Sequence, residues 1–137
     1  MERFDKVKSD KIAQDLLEMS FEVGGRGPEK IDCYGVLVHY YEQFGLKMPD
    51  YSSEENWENR GEVYLREYAT MARKLDPDEK PEVGDFILFK EVEGEPNHAG
   101  VYLGDSRFVH SYQKIGVKID SLVQFWGKKV YGYFRMK

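Results

Sequence analysis

His98-Ala99-Gly100-Val101-Tyr102-Leu103-Gly104-Asp105-Ser106-Arg107-Phe108-Val109-His110-Ser111-Tyr112 is the stretch from which the fold is read. Its first half alternates. Ala99, Val101 and Leu103 fall on one side of a strand, while His98, Gly100 and Tyr102 fall on the other. Its second half alternates again, with Phe108, His110 and Tyr112 together. Gly104-Asp105-Ser106 supplies turn residues between them, so the stretch reads as a hairpin. A three-residue loop would pair Gly100 with His110 and make His98 and His110 diagonal neighbours on one face. A two-residue loop would put the rings on opposite faces. Only the first register also brings Val101 and Val109 together on the core side, which favours it.

Further strands flank the hairpin. Asp85–Lys90, Gly116–Asp120 and Lys129–Arg135 are bounded by Gly, Pro, Asn, Asp and Ser. The first half of the chain has helical spacing instead. Ser9 or Asp10 can cap a helix carrying Ile12, Ala13, Leu16 and Leu17. Asp32 can cap a second, from about Cys33 to Phe44, with Val36, Leu37, Tyr40, Tyr41 and Phe44 on its apolar side and Gly45 closing it. A third spans about Glu54 to Leu75 and includes Trp57. Gly24-Gly25-Arg26-Gly27-Pro28 must be a loop. Helices followed by strands predict an α+β fold, with N-terminal helices packed on a roughly five-stranded antiparallel sheet.

The 137 residues suit one domain spanning 1–137, and an apolar share of 41% is enough for a core. A net charge of −5 makes a poor footprint for nucleic acid. No apolar run approaches the ~20 residues of a membrane helix. The opening MERFDKVKSDK has no apolar stretch of the signal-peptide kind, so synthesis in the cytoplasm is expected.

The single cysteine excludes an intrachain disulfide. Cys33 is either a buried small hydrophobe or a working thiol. For the second, its place directly after Asp32 puts it in the first turn of a helix, where free N–H groups and the macrodipole favour a thiolate and can hold an oxyanion. Gly35 would leave room there for a substrate backbone. A nucleophile needs a base. His39 lies in the same helix and points away from the sulfur, as a surface histidine does. His98 and His110 remain, one to act on the thiol and one to hold the first in its tautomer. Cys33, His98 and His110 could instead bind zinc, without a familiar ligand spacing. Asp85, in a turn entering a strand, is expected to cap the turn's amides. Tyr131, Tyr133 and Phe134 read mostly as core, and Glu54-Glu55 and Glu91–Glu95 as solvated surface.

Asp32-Cys33-Tyr34-Gly35-Val36, Pro81-Glu82-Val83-Gly84-Asp85, His98–Gly104 and Phe108-Val109-His110, in that order, resemble the NlpC-type cell-wall peptidases, papain-like cysteine endopeptidases of bacterial peptidoglycan. The likeness runs from about Phe21 to Arg135. Gly24–Gly27 and Phe44–Tyr51 look closest to the tail-assembly peptidases of phages and prophages. The resemblance implies Cys33 as nucleophile, His98 as base and His110 as orienting member, with Phe21, Asp32, Tyr34 and Gly35 around the oxyanion and substrate groove. It also implies cleavage between D-Glu and the next diamino acid of the stem peptide, phage tail proteins as partners, carriage in a virion, and no cofactor or metal. Alternatives are a non-catalytic tail component with the same fold, or a papain-like amidase or acyltransferase. Tyr34 stands where many relatives have Ser. Phe21 stands where many have a Tyr whose hydroxyl assists the oxyanion, which leaves that work to the Cys33 N–H.

Overall fold

The computed structural model describes residues 3–50, 61–91 and 96–137. Their elements run α1 (Lys6–Leu16), α2 (Cys33–Glu42), α3 (Gly61–Thr70), β1 (Ala72–Lys74), β2 (Phe86–Phe89), β3 (His98–Gly104), β4 (Arg107–Tyr112), β5 (Gly116–Ser121) and β6 (Val130–Met136). The strands form one six-stranded sheet in the order β1-β6-β2-β3-β4-β5, each pair antiparallel. The architecture is α+β and papain-like. The sixth strand, absent from the sequence reading, is β1. Ala72, Arg73 and Lys74 favour helices by propensity, but pairing with Met136, Arg135 and Phe134 at the sheet edge overrides it. The beginning of the expected third helix, with Trp57 and Glu54-Glu55, lies outside the described residues, as do residues 92–95.

α1 begins earlier than expected. Its cap is Asp5, whose carboxylate accepts from the Lys8 N–H at 2.8 Å. Ser9 is buried instead, hydrogen-bonded to the Tyr40 hydroxyl at 2.6 Å, which ties α1 to α2.

The two faces of the sheet do different work. On one, Ala99, Val101, Leu103 and Val109 join Val36, Leu37 and Tyr40 of α2 and Leu16 of α1 in the main core. On the other, Ile87, Phe89, Tyr102, Phe108 and Trp126 form a second cluster. The aromatics of β6 divide: Phe134 is in the main core, Tyr133 packs on the second cluster, and Tyr131 is exposed, contrary to its reading as core.

The hairpin keeps the expected register by another route. Val101 faces Val109 and Tyr102 faces Phe108, but Gly104 faces Arg107, so the turn is only Asp105-Ser106. Both turn residues have positive φ, as a primed hairpin turn requires. Leu103 is the extra residue of a β-bulge, and it restores the parity that a two-residue turn alone would reverse.

Asp85 caps its turn, accepting from the Glu82 N–H at 2.7 Å. It also binds Arg135 through both carboxylate oxygens, at 3.0 and 2.9 Å, a long-range pair with no local signal.

Candidate active site

Asp32 builds the mouth of α2. One oxygen accepts from the Gly35 N–H and the other from the Gly24 N–H, each at 2.8 Å. Arg26 donates to the first oxygen at 2.8 Å and reaches Asp50 with its other nitrogens. The carboxylate is 3% exposed and fully engaged, so it holds the loop and helix start together. Burial raises its pKa, with Arg26 opposing.

Gly35 does not leave space for substrate. A Cβ there would lie 2.5 Å from the Gly25 carbonyl oxygen and 2.5 Å from Ile31 Cγ1, so its missing side chain seats the 24–32 loop against the helix. Ser111, on β4, donates to the Ile31 carbonyl at 2.6 Å. That buried bond fixes the helix mouth to the strand carrying His110.

A cleft of about 600 Å³ opens there. Cys33 and His98 both line it, with Phe21, Asp32, Tyr34 and Tyr112. Cys33 is 7% exposed, at the cleft wall. Burial pushes its thiol up to about 12, nearby Asp32 adds to this, and the Ala99 amide opposes it by hydrogen bonding to the sulfur. In the free protein burial therefore outweighs the helix mouth, contrary to the thiolate expected from position alone.

His98 and His110 share a face, and Nε2 of the first is 2.7 Å from Nδ1 of the second. Nε2 of His110 is in turn 2.7 Å from Asp120 Oδ2, on β5. Burial holds His98 well below the ordinary histidine range, and the neighbouring His110 adds to it. Burial also lowers His110, against the raising effect of Asp120. Both rings are neutral at pH 7.

Trp126 covers the pair, with its ring 5.5 Å from His98 and 4.8 Å from His110. Tyr112 stacks edge-on to His98 at 5.4 Å and donates its hydroxyl to Glu91 at 2.7 Å. Gly100 lies opposite His110, where a Cβ would come within 2.8 Å of the Phe108 ring. His39 is half-buried on α2 and does not line the cleft.

Asp120, Trp126 and Ser111 had not been singled out from the sequence. Asp120 does lie two residues from the position paired with His110, on the expected strand Gly116–Asp120. Trp126 sits in an irregular loop and carries no such signal. Among the described residues no group of three or more His, Cys, Asp and Glu is arranged to hold a metal ion. His110 spends both nitrogens on His98 and Asp120. No helix among the described residues is long and apolar enough to cross a membrane.

A helix-mouth thiol sharing a cleft wall with one imidazole of a hydrogen-bonded pair, on an antiparallel sheet, defines a papain-like α+β domain. The chain belongs to the NlpC/P60 family, whose model matches residues 18–135. It is 30% identical over 124 residues to the murein DD-endopeptidase MepS/murein LD-carboxypeptidase of Escherichia coli K12, covering 88% of this chain and 57% of that one. It is 27% identical over 105 residues to the tail tip assembly protein K of Escherichia phage lambda, covering 76% and 53%. Among solved structures, it superposes with a TM-score of 0.66 and 18% identity on RipD from Mycobacterium tuberculosis, over 98% and 97% of the two chains. That protein is described as a non-catalytic NlpC/p60 domain protein adapted to peptidoglycan binding. The chain spans from about a fifth to just over half of the length of the curated relatives it matches.

Proposed function

We propose that this chain is a cysteine peptidase that hydrolyses an amide bond in the peptide stem of bacterial peptidoglycan. The observation that carries the reading is the shared cleft wall of Cys33 and His98, with His98 held from behind by His110 at 2.7 Å. With Nε2 of His98 engaged by His110, Nδ1 is the nitrogen left to take the thiol proton. The sulfur attacks the scissile carbonyl as its proton passes to His98. The proton then goes to the leaving amine, and water, deprotonated by His98, releases the acyl group. Burial makes the resting thiol neutral, so proton transfer belongs to the attack and not to a preformed ion pair. Backbone N–H groups at the mouth of α2 are the oxyanion donors. Phe21, on the cleft wall, has no hydroxyl to add to them. Tyr34 and Tyr112 offer groove contacts that do not depend on net charge.

The likeness to the lambda tail tip assembly protein supports a phage- or prophage-tail setting, with tail proteins as partners. The test is digestion of purified muropeptides by the protein and by Cys33→Ala, with product masses. Loss of cleavage in a folded variant supports the peptidase, and the broken bond separates it from an amidase or acyltransferase. Equal cleavage by the variant overturns it. The burial of the sulfur favours one other reading, a wall-binding module without catalysis. It predicts that both proteins bind wall sacculi and neither releases product.

A further inference from the structure

We infer that Asp120 is a positioning residue that fixes, through His110, which nitrogen of His98 is free to face the Cys33 thiol. The inference rests on the reading of Cys33 as nucleophile and His98 as its base, and goes one residue beyond it.

The hydrogen-bond chain has one direction. A carboxylate has no proton to give, so at the 2.7 Å contact His110 Nε2 must donate to Asp120. A neutral imidazole carries one N–H, so His110 Nδ1 is then an acceptor. At the next 2.7 Å contact the donor must therefore be His98 Nε2. That leaves His98 Nδ1 with its lone pair, the form a general base requires. Reversing the first bond reverses the rest: a donor in place of Asp120 would put the proton on His110 Nδ1, then on His98 Nδ1, and the base would be lost.

The surroundings leave Asp120 in control. His98 is 4% and His110 1% exposed, so water does not compete for the bond between them. Phe89, Phe108 and Trp126 wall the two rings without offering an acceptor. The other charged groups acting on His110 are Glu91, which binds Tyr112, and Lys118, which has no acceptor atom. The Asp120 side chain is itself 31% exposed and lies outside the cleft, so it can be changed without opening the core or touching substrate.

The experiment is long-range ¹H–¹⁵N NMR of histidine-labelled full chain at pH 7.5, together with kcat and KM on muropeptides. The native protein is expected to show both rings protonated at Nε2. Asp120→Asn, able to turn its amide N–H toward His110, is expected to move His98 to the Nδ1–H form or a mixture. Its kcat should fall at least about tenfold, within the ~10²–10⁴ range of general-base catalysis, with KM little changed. Asp120→Glu, which keeps an acceptor, should retain the native tautomers and recover most of kcat. A native His98 protonated at Nδ1 overturns the inference without any variant. So does an unaltered His98 tautomer in folded Asp120→Asn and Asp120→Ala. A native protein that cleaves no muropeptide, but whose tautomers respond as described, removes the peptidase reading and leaves the role of Asp120 standing.

Discussion

Replacing Gly100 by Ala tests how the imidazole pair is held. The added Cβ would lie 2.8 Å from the Phe108 ring, 2.9 Å from the Val109 carbonyl oxygen and 3.3 Å from His110 Cβ. The carbonyl is backbone and cannot swing away. The Phe108 ring is clamped by Phe89 at 4.9 Å and Trp126 at 5.8 Å. β3 and β4 must therefore part locally. Overpacking of this kind costs roughly 1–3 kcal/mol. Gly100 has no positive φ, so Ala also recovers about 0.4–1 kcal/mol of chain entropy. The net loss is about 1.3 kcal/mol. At roughly 2.1 cal/mol/K per residue of unfolding entropy, a chain of this length loses about 4–5 °C in Tm. The separation falls between the rings, so muropeptide cleavage should drop further than stability does. Thermal melting by circular dichroism and a cleavage assay on the folded variant are the measurements. A Tm equal to or above the native value, with cleavage intact, would refute the account of Gly100 as the residue that lets the histidines meet.

Ser111→Ala should cost about 1–3 kcal/mol by orphaning the buried Ile31 carbonyl, read as a lower urea midpoint, and cleavage should fall with it as the helix mouth loosens. Asp32→Ala removes the cap of α2 and one of the two carboxylates that Arg26 binds; a loss of about 2 kcal/mol or more is expected, and a melting curve like the native one would contradict it. Iodoacetamide labelling of Cys33 should be slow at pH 7 and rise only well above the ~8.5 midpoint of a free thiol, since burial pushes the group up to about 12. A labelling midpoint below 8 would show an ion pair already formed. Both active-site histidines sit below their unfolded value, so the unfolded chain takes up protons first as pH falls through ~6.5, and stability should decline from pH 7 to pH 5. Urea titrations at the two pH values check this, and a flat or rising stability would oppose it.

What was legible in the sequence is what local pattern controls. Alternation with the Val101–Val109 pairing favoured the register that puts His98 and His110 on one face, though through a longer loop than the one present, and a cap residue before an apolar stripe placed Cys33 at the start of α2. What was not legible depends on partners distant in the chain. Asp120 and Ser111 are ordinary strand residues until β5 pairs with β4 and the 24–32 loop folds under it. Trp126 acquires its role only when the loop after β5 lies across the rings. Gly35 was assigned to the substrate because a glycine beside a nucleophile suggests space, yet the space is filled by the protein's own backbone. The thiol's protonation was misjudged for a related reason: the helix end is visible in sequence and the depth of burial is not.

The bulge at Leu103 has a consequence for how this hairpin can vary. Tyr102 faces Phe108 before Leu103 and Gly104 faces Arg107 after it, so removing Leu103 would close the ladder into a regular two-residue hairpin and keep both imidazoles on one face. Length changes that the bulge or the turn takes up are thus admissible, whereas a shift of the Val101–Val109 pairing by one residue turns one ring toward α2 and dismantles the pair.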